Sequence, residues 1–362
     1  MAAVEAPAPR VSVVIPVFNC ERFVAEAVES VLAQSFRDLE LIVIDDGSTD
    51  RSPEIVAQLI RDERRARLHV NERNLGLSVT SNRGWQEARA PYVARLDADD
   101  VALPDRLSRQ VPFLDDHPRV GAVGGAAIRI GASGAQGATM RFPTQNRGIR
   151  ATLDRRSCIA HSAALIRRAA LEQVGGYRLD VGGDFDLWLR LAEGWELANL
   201  AEPVVLYREH PDQITLTKFQ QQAIATLAAS ASARARRAGR ADPLALAPEL
   251  SMETLAELEI GAAEIAGQVT HRCLEVAATY ELLGHRSESA ALVEHARGTL
   301  ASRTDRTYAA AVALKRADVH LSAHRPLAGI VDACSGVIRA PRYASGRLLS
   351  RVRDRFHGRR LS

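Results

Sequence analysis

The chain has 362 residues, of which 46% are hydrophobic and 25% charged, and these values are those of a globular protein with room for two domains. Its net charge of +3 is too small to indicate nucleic-acid binding, so we expect no nucleic-acid partner. The four cysteines are far apart and form no Cys-x-x-Cys pair, which argues against a zinc site or a disulfide framework and favours reduced thiols.

Hydropathy gives no sign of a membrane-spanning or exported protein. No stretch approaches the roughly eighteen uncharged apolar residues of a membrane-spanning helix. The first apolar run is also too short for a signal peptide. We therefore expect a cytoplasmic protein in which the Ala/Pro-rich residues 1–10 are a disordered N-terminus.

Strands and helices alternate along the first part of the chain. The apolar, β-branched runs read as buried strands, and the segments between them place their apolar residues on one helical face. The predicted strands are 11–16, 39–44, 67–70 and 92–97, and the predicted helices are 21–33, 53–64 and 78–89. This repeat predicts an α/β fold with a parallel sheet, in which the loops that follow the strands lie at the edge where ligands bind.

The following segment is less regular. Pro104 belongs in the first turn of a helix, and Pro112 should kink or shorten that helix. The later predicted elements are short strands within 120–150 around a glycine-rich turn at 131–137, a strand at 163–166, a helix that ends at Gly175, a helix from Asp184, and strands at 195–200 and 203–208.

The chain changes character after residue 217. Alanine-rich helical periodicity predicts an all-α domain over 218–338, with helix breaks near 239–243, 284, 304 and 326, after an α/β domain over 11–217. Residues 339–362 carry eight arginines and one acid and could form a basic amphipathic tail. The tail has two interpretations: a contact with anionic lipid on the inner face of the membrane, or a solvated end.

Three carboxylates follow the predicted strand at 92–97. Asp97, Asp99 and Asp100 are separated by a single alanine and would repel one another unless positive charge lay beside them. Oxygen ligands suit Mg²⁺ or Mn²⁺, so the pattern points to a divalent cation that carries a phosphorylated ligand. A solvated acidic turn is the alternative.

Six segments occur in an order that resembles the family-2 inverting glycosyltransferases, which have the GT-A fold. The resemblance covers roughly residues 10 to 215. The segments are Val14-Ile15-Pro16-Val17-Phe18-Asn19, Asp45-Asp46-Gly47-Ser48-Thr49-Asp50, Asn74-Leu75-Gly76, Asn82-Arg83-Gly84, Leu96-Asp97-Ala98-Asp99-Asp100 and Asp184-Phe185-Asp186-Leu187-Trp188. The resemblance implies a GT-A, Rossmann-like nucleotide-diphospho-sugar transferase domain. The all-α C-terminal domain comes after it in the chain.

Enzymes of this family move a sugar from a nucleotide diphosphate to an acceptor hydroxyl, with inversion at the anomeric carbon. The resemblance implies Mn²⁺ or Mg²⁺ as cofactor, with Asp99 as a metal ligand and Asp97 against the ribose or sugar of the donor. It also places His210 at the metal, although a lone histidine is as often structural.

The first two strand ends resemble the nucleotide site of the family. There the base lies between Pro16 and Phe18, while Asp46 accepts a hydrogen bond from a ring N–H, a chemical pair that suits uracil and predicts a UDP-sugar. The resemblance adds Asn19, Asn74 and Asn82 to this nucleotide-binding set. Phe18 could instead be a core residue, and Asp45 could only hold its turn.

Asp184 is the predicted general base, because the start of a helix that faces the site could bring its carboxylate to the acceptor hydroxyl. Gly183 precedes it where the family usually has an acid. Asp186 is the competing base, and an N-cap role is the alternative for Asp184.

Two further residues complete the predicted site. His161 and Trp188 are candidates for the acceptor or donor pocket, with a core position as the alternative for Trp188.

Two features of processive family members are missing from the sequence: a Gln-x-x-Arg-Trp motif and membrane helices. We therefore expect a non-processive, hexosyltransferase-type enzyme that adds one sugar to a saccharide or lipid-linked acceptor in cell-surface polysaccharide or glycolipid assembly. The rival functions are a nucleotidyltransferase, which would need a glycine-rich phosphate loop after the first strand, and a non-catalytic sugar-nucleotide-binding scaffold.

Overall fold

The computed structural model describes residues 8–246 and 250–300. They form two compact units, the first made of residues up to His210 together with Ala228–Leu258. The second unit contains Pro211–Leu227 and the residues from Glu259 onward. The division differs from the boundary predicted after residue 217, because residues 228–258 pack within the first unit.

One mixed sheet organises the first unit, and within the described residues it has nine strands. The strands are β1 Val11–Val17, β2 Leu39–Asp45, β3 Ala66–Val70, β4 Tyr92–Arg95, β5 Val101–Ala102, β6 Val120–Gly131, β7 Gln136–Met140, β8 Leu165–Arg167 and β9 Glu196–Glu209. Their order is β3-β2-β1-β4-β8-β6-β9-β5, with β7 paired to β6.

The helices alternate with the first four strands as the sequence predicts. The helices of the described residues are α1 Val24–Leu32, α2 Ser52–Leu59, α3 Leu77–Gln86, α4 Arg106–Asp116, α5 Asn146–Leu153, α6 Arg168–Val174, α7 Gly183–Gly194, α8 Ile214–Thr217, α9 Phe219–Arg237, α10 Pro243–Leu246, α11 Met252–Glu257, α12 Ala262–Leu282 and α13 Arg286–Leu300. A short 3₁₀ turn, His161–Ala163, precedes β8.

Strands β3, β2, β1 and β4 are parallel neighbours, which confirms the predicted parallel sheet. Val17 pairs with Asp45 across β1 and β2, and Val14 pairs with Arg95 across β1 and β4. The carboxyl ends of three adjacent strands therefore meet at one edge of the sheet.

Alternate residues of these strands enter two cores on opposite faces of the sheet. Val13 and Ile15 belong to the core that α1 covers, whereas Val14 and Ile44 face the core that contains Trp85 of α3. Burial on both faces is why the strands read as continuous apolar runs.

The second half of the sheet differs from the prediction. The structure has a continuous β6 in place of short strands, and a single β9 in place of two strands. These long strands pair in parallel, and the pairing register shifts on both sides of Ala126, which lies opposite Pro203. A bulge of this kind accommodates a residue that has no N–H to donate, so Pro203 does not end the strand. Pro112 likewise lies inside α4 and does not end it.

A buried charge network joins α7 to the segment that contains α9 and α10. Asp186 of α7 binds Arg178 at 2.6 Å, and Arg178 also binds Asp242 at 2.7 Å. Asp242 further binds Arg236 of α9 at 2.7 Å and accepts a hydrogen bond from Ser232. The segment 228–246 is thus held to the first unit by ion pairs as well as by apolar contacts of Ala229 and Ala233.

The described part of the second unit is helical. Helices α12 and α13 enclose a small core that includes Cys273, Val293 and Ala296. Gly284, with φ of +85°, lies between them and confirms the helix break predicted there.

Several predictions lie outside the described residues: the structure of residues 1–7, the helix breaks near 304 and 326, and the basic tail at 339–362 with its membrane contact. Arg10, expected in a disordered N-terminus, is held by two 2.8 Å hydrogen bonds to the Asp115 carboxylate. Among the described residues no helix has the length and apolarity needed to cross a bilayer.

Candidate active site

The loops that follow β1 and β2 interlock at the shared edge. Asn19, with φ of +49°, donates its N–H to Ser48 Oγ at 2.9 Å, and its Oδ1 accepts from the N–H of Thr49 at 2.8 Å. Pro16 is buried within β1, whereas Phe18 is 47% exposed. Phe18 is therefore not a core residue, and its ring is free to contact a ligand.

Asp46 fastens the loop that precedes α3. Its Oδ1 accepts from Asn71 Nδ2 at 2.8 Å and from the N–H of Leu75 at 2.9 Å, while Oδ2 accepts from the N–H of Gly76 at 2.9 Å. A carboxylate offers about four acceptor positions, so these three bonds leave one on Oδ2 for a further donor.

Asp45 and Asn74 stabilise turns. Oδ1 of Asp45 accepts from the N–H of Ser48 at 2.9 Å, so Asp45 does hold its turn, and its buried Oδ2 has no hydrogen-bond partner within the described chain. Oδ1 of Asn74 accepts from the N–H of Gly76 at 3.1 Å. Asn74 itself is exposed beside the Asp46 loop.

Asp97 follows β4 and is held from two sides. Arg95 Nη2 lies 2.6 Å from its Oδ1, and Ser162 Oγ donates to its Oδ2 at 2.7 Å. Burial opposes ionisation of Asp97, but the charges of Arg95 and Arg106 and the hydrogen bond from Ser162 act together against it and keep the pKa of Asp97 below its usual value. Asp97 is therefore a fixed, ionised acceptor at the edge of the sheet.

Asp99 and His210 form a pair. The Nε2 atom of His210 lies 3.0 Å from Oδ2 of Asp99, and its ring packs 4.9 Å from the ring of Phe23. The structure thus brings together the two residues that the resemblance assigns to the metal, one after β4 and the other after β9.

The side chain of Asp100 is buried in the protein interior. Its Oδ1 accepts from the N–H of Arg208 at 2.7 Å, and its buried Oδ2 lacks a hydrogen-bond partner in residues 8–246 and 250–300. Burial, together with the charges of Asp99 and Asp97, raises the pKa of Asp100 well above its usual value.

Arginines of the chain supply positive charge beside the three carboxylates. Arg95 binds Asp97, and buried Arg208 donates through Nε to the Asp99 carbonyl at 2.7 Å. Arg106 is also buried, and burial lowers its pKa to about 9, so it is still charged at neutral pH. The sequence interpretation assumed an external cation as the neutraliser, whereas the protein provides part of that charge itself.

The Asp99–His210 pair fits a small divalent cation. Adjacent ligands about 2.1 Å from an octahedral ion are separated by about 3.0 Å, the distance observed between His210 Nε2 and Asp99 Oδ2. The described residues contain no group of three or more potential side-chain ligands. An ion held here would therefore need ligands from the phosphates of a bound nucleotide or from water, as Mg²⁺ commonly does.

Asp184 lies in the first turn of α7, near the N-terminus of the helix as predicted. The N-cap is Gly182, and the cap involves no side-chain hydrogen bond, so Asp184 is not the N-cap residue. Asp186 is fully buried and binds Arg178 and Arg190, which removes it as a competing base.

Gly183 stands where the family usually has an acid. A Cβ atom at this position would lie 3.2 Å from Ser78 Oγ, so a larger side chain would press against the first turn of α3. Packing against α3 gives a physical reason for glycine at this position.

His161 connects Asp97 to the segment before Asp184. Its Nδ1 is 4.0 Å from Asp97 Oδ1, and its Nε2 lies 2.8 Å from the hydroxyl of Tyr177. Burial lowers the pKa of His161 to about 3 and raises the pKa of Tyr177, so both are neutral and Tyr177 can donate to Nε2. Trp188 is fully buried, which favours its interpretation as a core residue over a place in the acceptor pocket.

The neutral state of His161 makes the stability of the protein pH-dependent. The unfolded state takes up a proton below the ordinary histidine pKa of 6.5, whereas the native ring does not until about pH 3. The contribution is complete above pH 6.5 and is lost as pH falls, by about 2 kcal/mol at pH 5. Chemical denaturation at pH 6.5 and 5 should show this loss in the wild type and a smaller one in His161→Gln. Equal losses would contradict a buried neutral imidazole.

Asn82 has a structural position on α3. Its Nδ2 donates to the carbonyl of Tyr177 at 2.8 Å, and its Oδ1 accepts from the N–H of Tyr177 at 2.8 Å and from Trp85 Nε1 at 2.9 Å. Its amide therefore holds the chain before α7, which the resemblance alone does not indicate.

The predicted donor, metal and base residues lie along one connected edge of the first unit. Asp46 binds the loop before α3, and a Cβ atom on Gly76 of that loop would come within 2.5 Å of Asp180 Oδ1. Asp180 belongs to the segment that leads to Asp184, and the bond between His161 and Tyr177 joins the same segment to Asp97.

Sequence reasoning missed Arg95, Ser162, Tyr177 and Arg208. Two of them carried a signal, since Arg95 and Arg208 are charged residues within apolar strands and such residues need a partner when buried. Ser162 and Tyr177 meet their partners only through the tertiary fold, and nothing local distinguishes them.

The sequence is similar to known glycosyltransferases. The profile of the family described as glycosyl transferase family 2 matches residues 12–175. EpsE of Bacillus subtilis (strain 168), which is named a glycosyltransferase, is 35% identical over 217 residues that cover 58% of this chain and 77% of EpsE. The amylovoran biosynthesis glycosyltransferase AmsE of Erwinia amylovora is 28% identical over 56% of this chain and 77% of AmsE.

Solved structures also resemble this chain. The mannosyltransferase PcManGT from Pyrobaculum calidifontis, in complex with GDP-Man and Mn²⁺, aligns with a TM-score of 0.49 and 22% identity over 91% of this chain and 87% of its own. TarS from S. aureus in complex with UDP-GlcNAc aligns with a TM-score of 0.48 and 16% identity over 87% of this chain and 92% of its own. From the similarity to EpsE and the family match, the chain belongs to glycosyl transferase family 2 and is a glycosyltransferase with a GT-A fold.

Proposed function

We propose that this enzyme transfers one sugar from a UDP-sugar to an acceptor hydroxyl, with inversion at the anomeric carbon and with Mn²⁺ or Mg²⁺ as cofactor. The observation that carries the proposal is the connected edge on which Asp46, the Asp99–His210 pair and Asp184 lie. A nucleotidyltransferase, the rival from another chemical class, does not agree with membership in glycosyl transferase family 2.

The donor nucleotide binds at the ends of β1 and β2. The exposed ring of Phe18 offers a stacking face, and the remaining acceptor position of Asp46 suits the ring N–H of uracil. Asn19 and Asn74 line the same loops. Asp97, fixed by Arg95 and Ser162, is the acceptor for a hydroxyl of the donor's ribose or sugar.

Asp99 and His210 would hold the divalent cation. When bound, the cation would supply positive charge that offsets the negative charge developing on the diphosphate of the donor. Arg208 keeps this pair in place through its bonds to the Asp99 carbonyl and to Asp100.

Asp184 acts as the general base. It takes the proton of the acceptor hydroxyl while that oxygen attacks the anomeric carbon from the face opposite the diphosphate, and this single displacement inverts the configuration. Asp186, two residues further along α7, is not available for this role because its charge is matched by Arg178 and Arg190.

The acceptor is a saccharide or a lipid-linked saccharide of a cell-surface polysaccharide. This part of the proposal takes support from AmsE, which is named for amylovoran biosynthesis. The enzyme works in the cytoplasm, where the basic segment 339–362 brings it to the inner face of the membrane.

Thermal-shift measurements test the donor class. UDP with Mn²⁺ should raise the melting temperature, because a ligand at a hundred times its Kd stabilises the native state by about 2.7 kcal/mol. Asp99→Asn should lose the Mn²⁺-dependent part of the shift and retain the part due to UDP alone. Stabilisation by GDP but not UDP would refute the donor, and failure of every nucleoside diphosphate would refute the proposed function.

A further inference from the structure

The segment that delivers Asp184 has unusual backbone geometry at both ends. Residues 175–182 join α6 to α7, and residues 177–182 of this connection are here called the base loop. Gly176 before it and Gly182 within it have φ of +71° and +73°, values that favour glycine. The position of the Asp184 carboxylate therefore depends on the contacts that fix the base loop between Gly176 and Gly182.

Helix α3 makes four hydrogen bonds to the base loop, in addition to the ion pairs of Arg178 and the bond between Tyr177 and His161. Asn82 makes two with the backbone of Tyr177, each at 2.8 Å. Ser78 makes the other two: its Oγ donates to the Leu179 carbonyl, and its N–H donates to Asp180 Oδ1 at 3.2 Å. The last bond also satisfies a first-turn N–H of α3 that has no partner within the helix.

The same end of α3 is attached to the nucleotide side of the site. Asp46 binds the N–H groups of Leu75 and Gly76, each at 2.9 Å. Gly76 has φ of +95°, and a Cβ atom there would lie 2.5 Å from Asp180 Oδ1. Asp46 and Asp180 therefore both contact Gly76, and a side chain at this position would displace the Asp180 carboxylate.

We propose that Asp180, Ser78 and Asn82 are positioning residues for the general base, through which the N-terminus of α3 sets the place of Asp184 relative to the donor. The inference rests on the proposed function, since it takes Asp184 as the base. Misplacement of a catalytic group by about 1 Å can cost up to about a hundredfold in rate, so a loosened base loop should lower turnover while donor binding at Asp46 continues.

A matched pair of substitutions tests this. Asp180→Ala removes the acceptor for the Ser78 N–H, whereas Asp180→Asn keeps an oxygen in the same position. We expect Asp180→Ala to lower kcat for UDP-sugar hydrolysis about tenfold, with the Kd for UDP and Mn²⁺ within about twofold of wild type. Asp180→Asn should recover most of the wild-type kcat.

Two kinetic outcomes would overturn the proposal. Equal loss of kcat in both variants would mean that the carboxylate itself takes part in the chemistry. Wild-type kcat in Asp180→Ala would mean that its bond to Ser78 has no effect on the base.

Hydrogen exchange separates failure of this inference from failure of the proposed function. In Asp180→Ala the amides of residues 177–184 should exchange at least about threefold faster than in the wild type, and Asp180→Asn should restore protection. This readout needs no substrate. Faster exchange in a chain that turns over no UDP-sugar would refute the function alone, and unchanged exchange would refute the attachment of the base loop.

Discussion

Asp184→Asn is expected to lower kcat by about 10³-fold, because a positioned general base typically contributes between about 10²- and 10⁴-fold. The amide keeps the size of the side chain in the first turn of α7 but cannot take a proton from the attacking hydroxyl or water. Release of UDP from UDP-sugars in the presence of Mn²⁺, measured for wild type and variant, gives the ratio. Donor affinity should change little, since the base contacts the acceptor.

Glu193→Gln is the matched control for Asp184. It changes a carboxylate at the C-terminal end of the same helix, which binds Arg236 of α9 at 2.8 Å. Its kcat should equal that of the wild type. Unchanged turnover in Asp184→Asn would remove Asp184 from the mechanism, whereas loss of UDP binding in that variant would give it a donor-binding role.

Asp186→Ala is expected to lower the free energy of unfolding by about 3 to 5 kcal/mol, since it leaves buried guanidinium groups without their carboxylate. Asp186 is fully buried, and Arg190, whose side chain is 6% exposed, binds it at 2.8 Å. Arg178 would keep only its second partner, Asp242. Urea denaturation followed by circular dichroism measures the difference.

Asp154→Ala provides the comparison for a pair at the surface. Asp154 binds Arg237 at 3.0 Å, but both side chains are about half exposed, and such pairs contribute less than about 1 kcal/mol. A similar loss of stability in the two variants would show that burial of Asp186 is not what makes its ion pairs important. Folded Asp186→Ala, if recovered at low temperature, should still bind UDP.

Sequence pattern predicted the parts of the fold that depend on local chemistry. The parallel sheet was predicted from the β-branched runs of β1 and β2 and from the apolar face of α1. The same reasoning predicted the edge at which Asp46 and Asp97 lie. The order of these motifs then indicated the family. Side chains that follow parallel strands must share an edge, so topology alone places them together.

Other features depend on contacts between distant segments and have no local signal. The sequence predicts two strands, 195–200 and 203–208, yet Pro203 lies at a register shift within a single β9 because β6 pairs along its whole length. Asn82 reads as a ligand residue through the resemblance, yet its amide is used by Tyr177, which is 95 positions away in the chain. Trp188 shows the same limit, since an aromatic side chain beside leucines suits either a pocket or a core.

The role of Asp242 determines how short an active version of this enzyme can be made. The family profile ends at residue 175, and the last strand of the described residues ends at Glu209, so a gene truncated shortly after that strand would look sufficient. Such a polypeptide would lack Asp242, the second carboxylate that Arg178 binds besides Asp186. Expression of the catalytic region should therefore extend through Leu258.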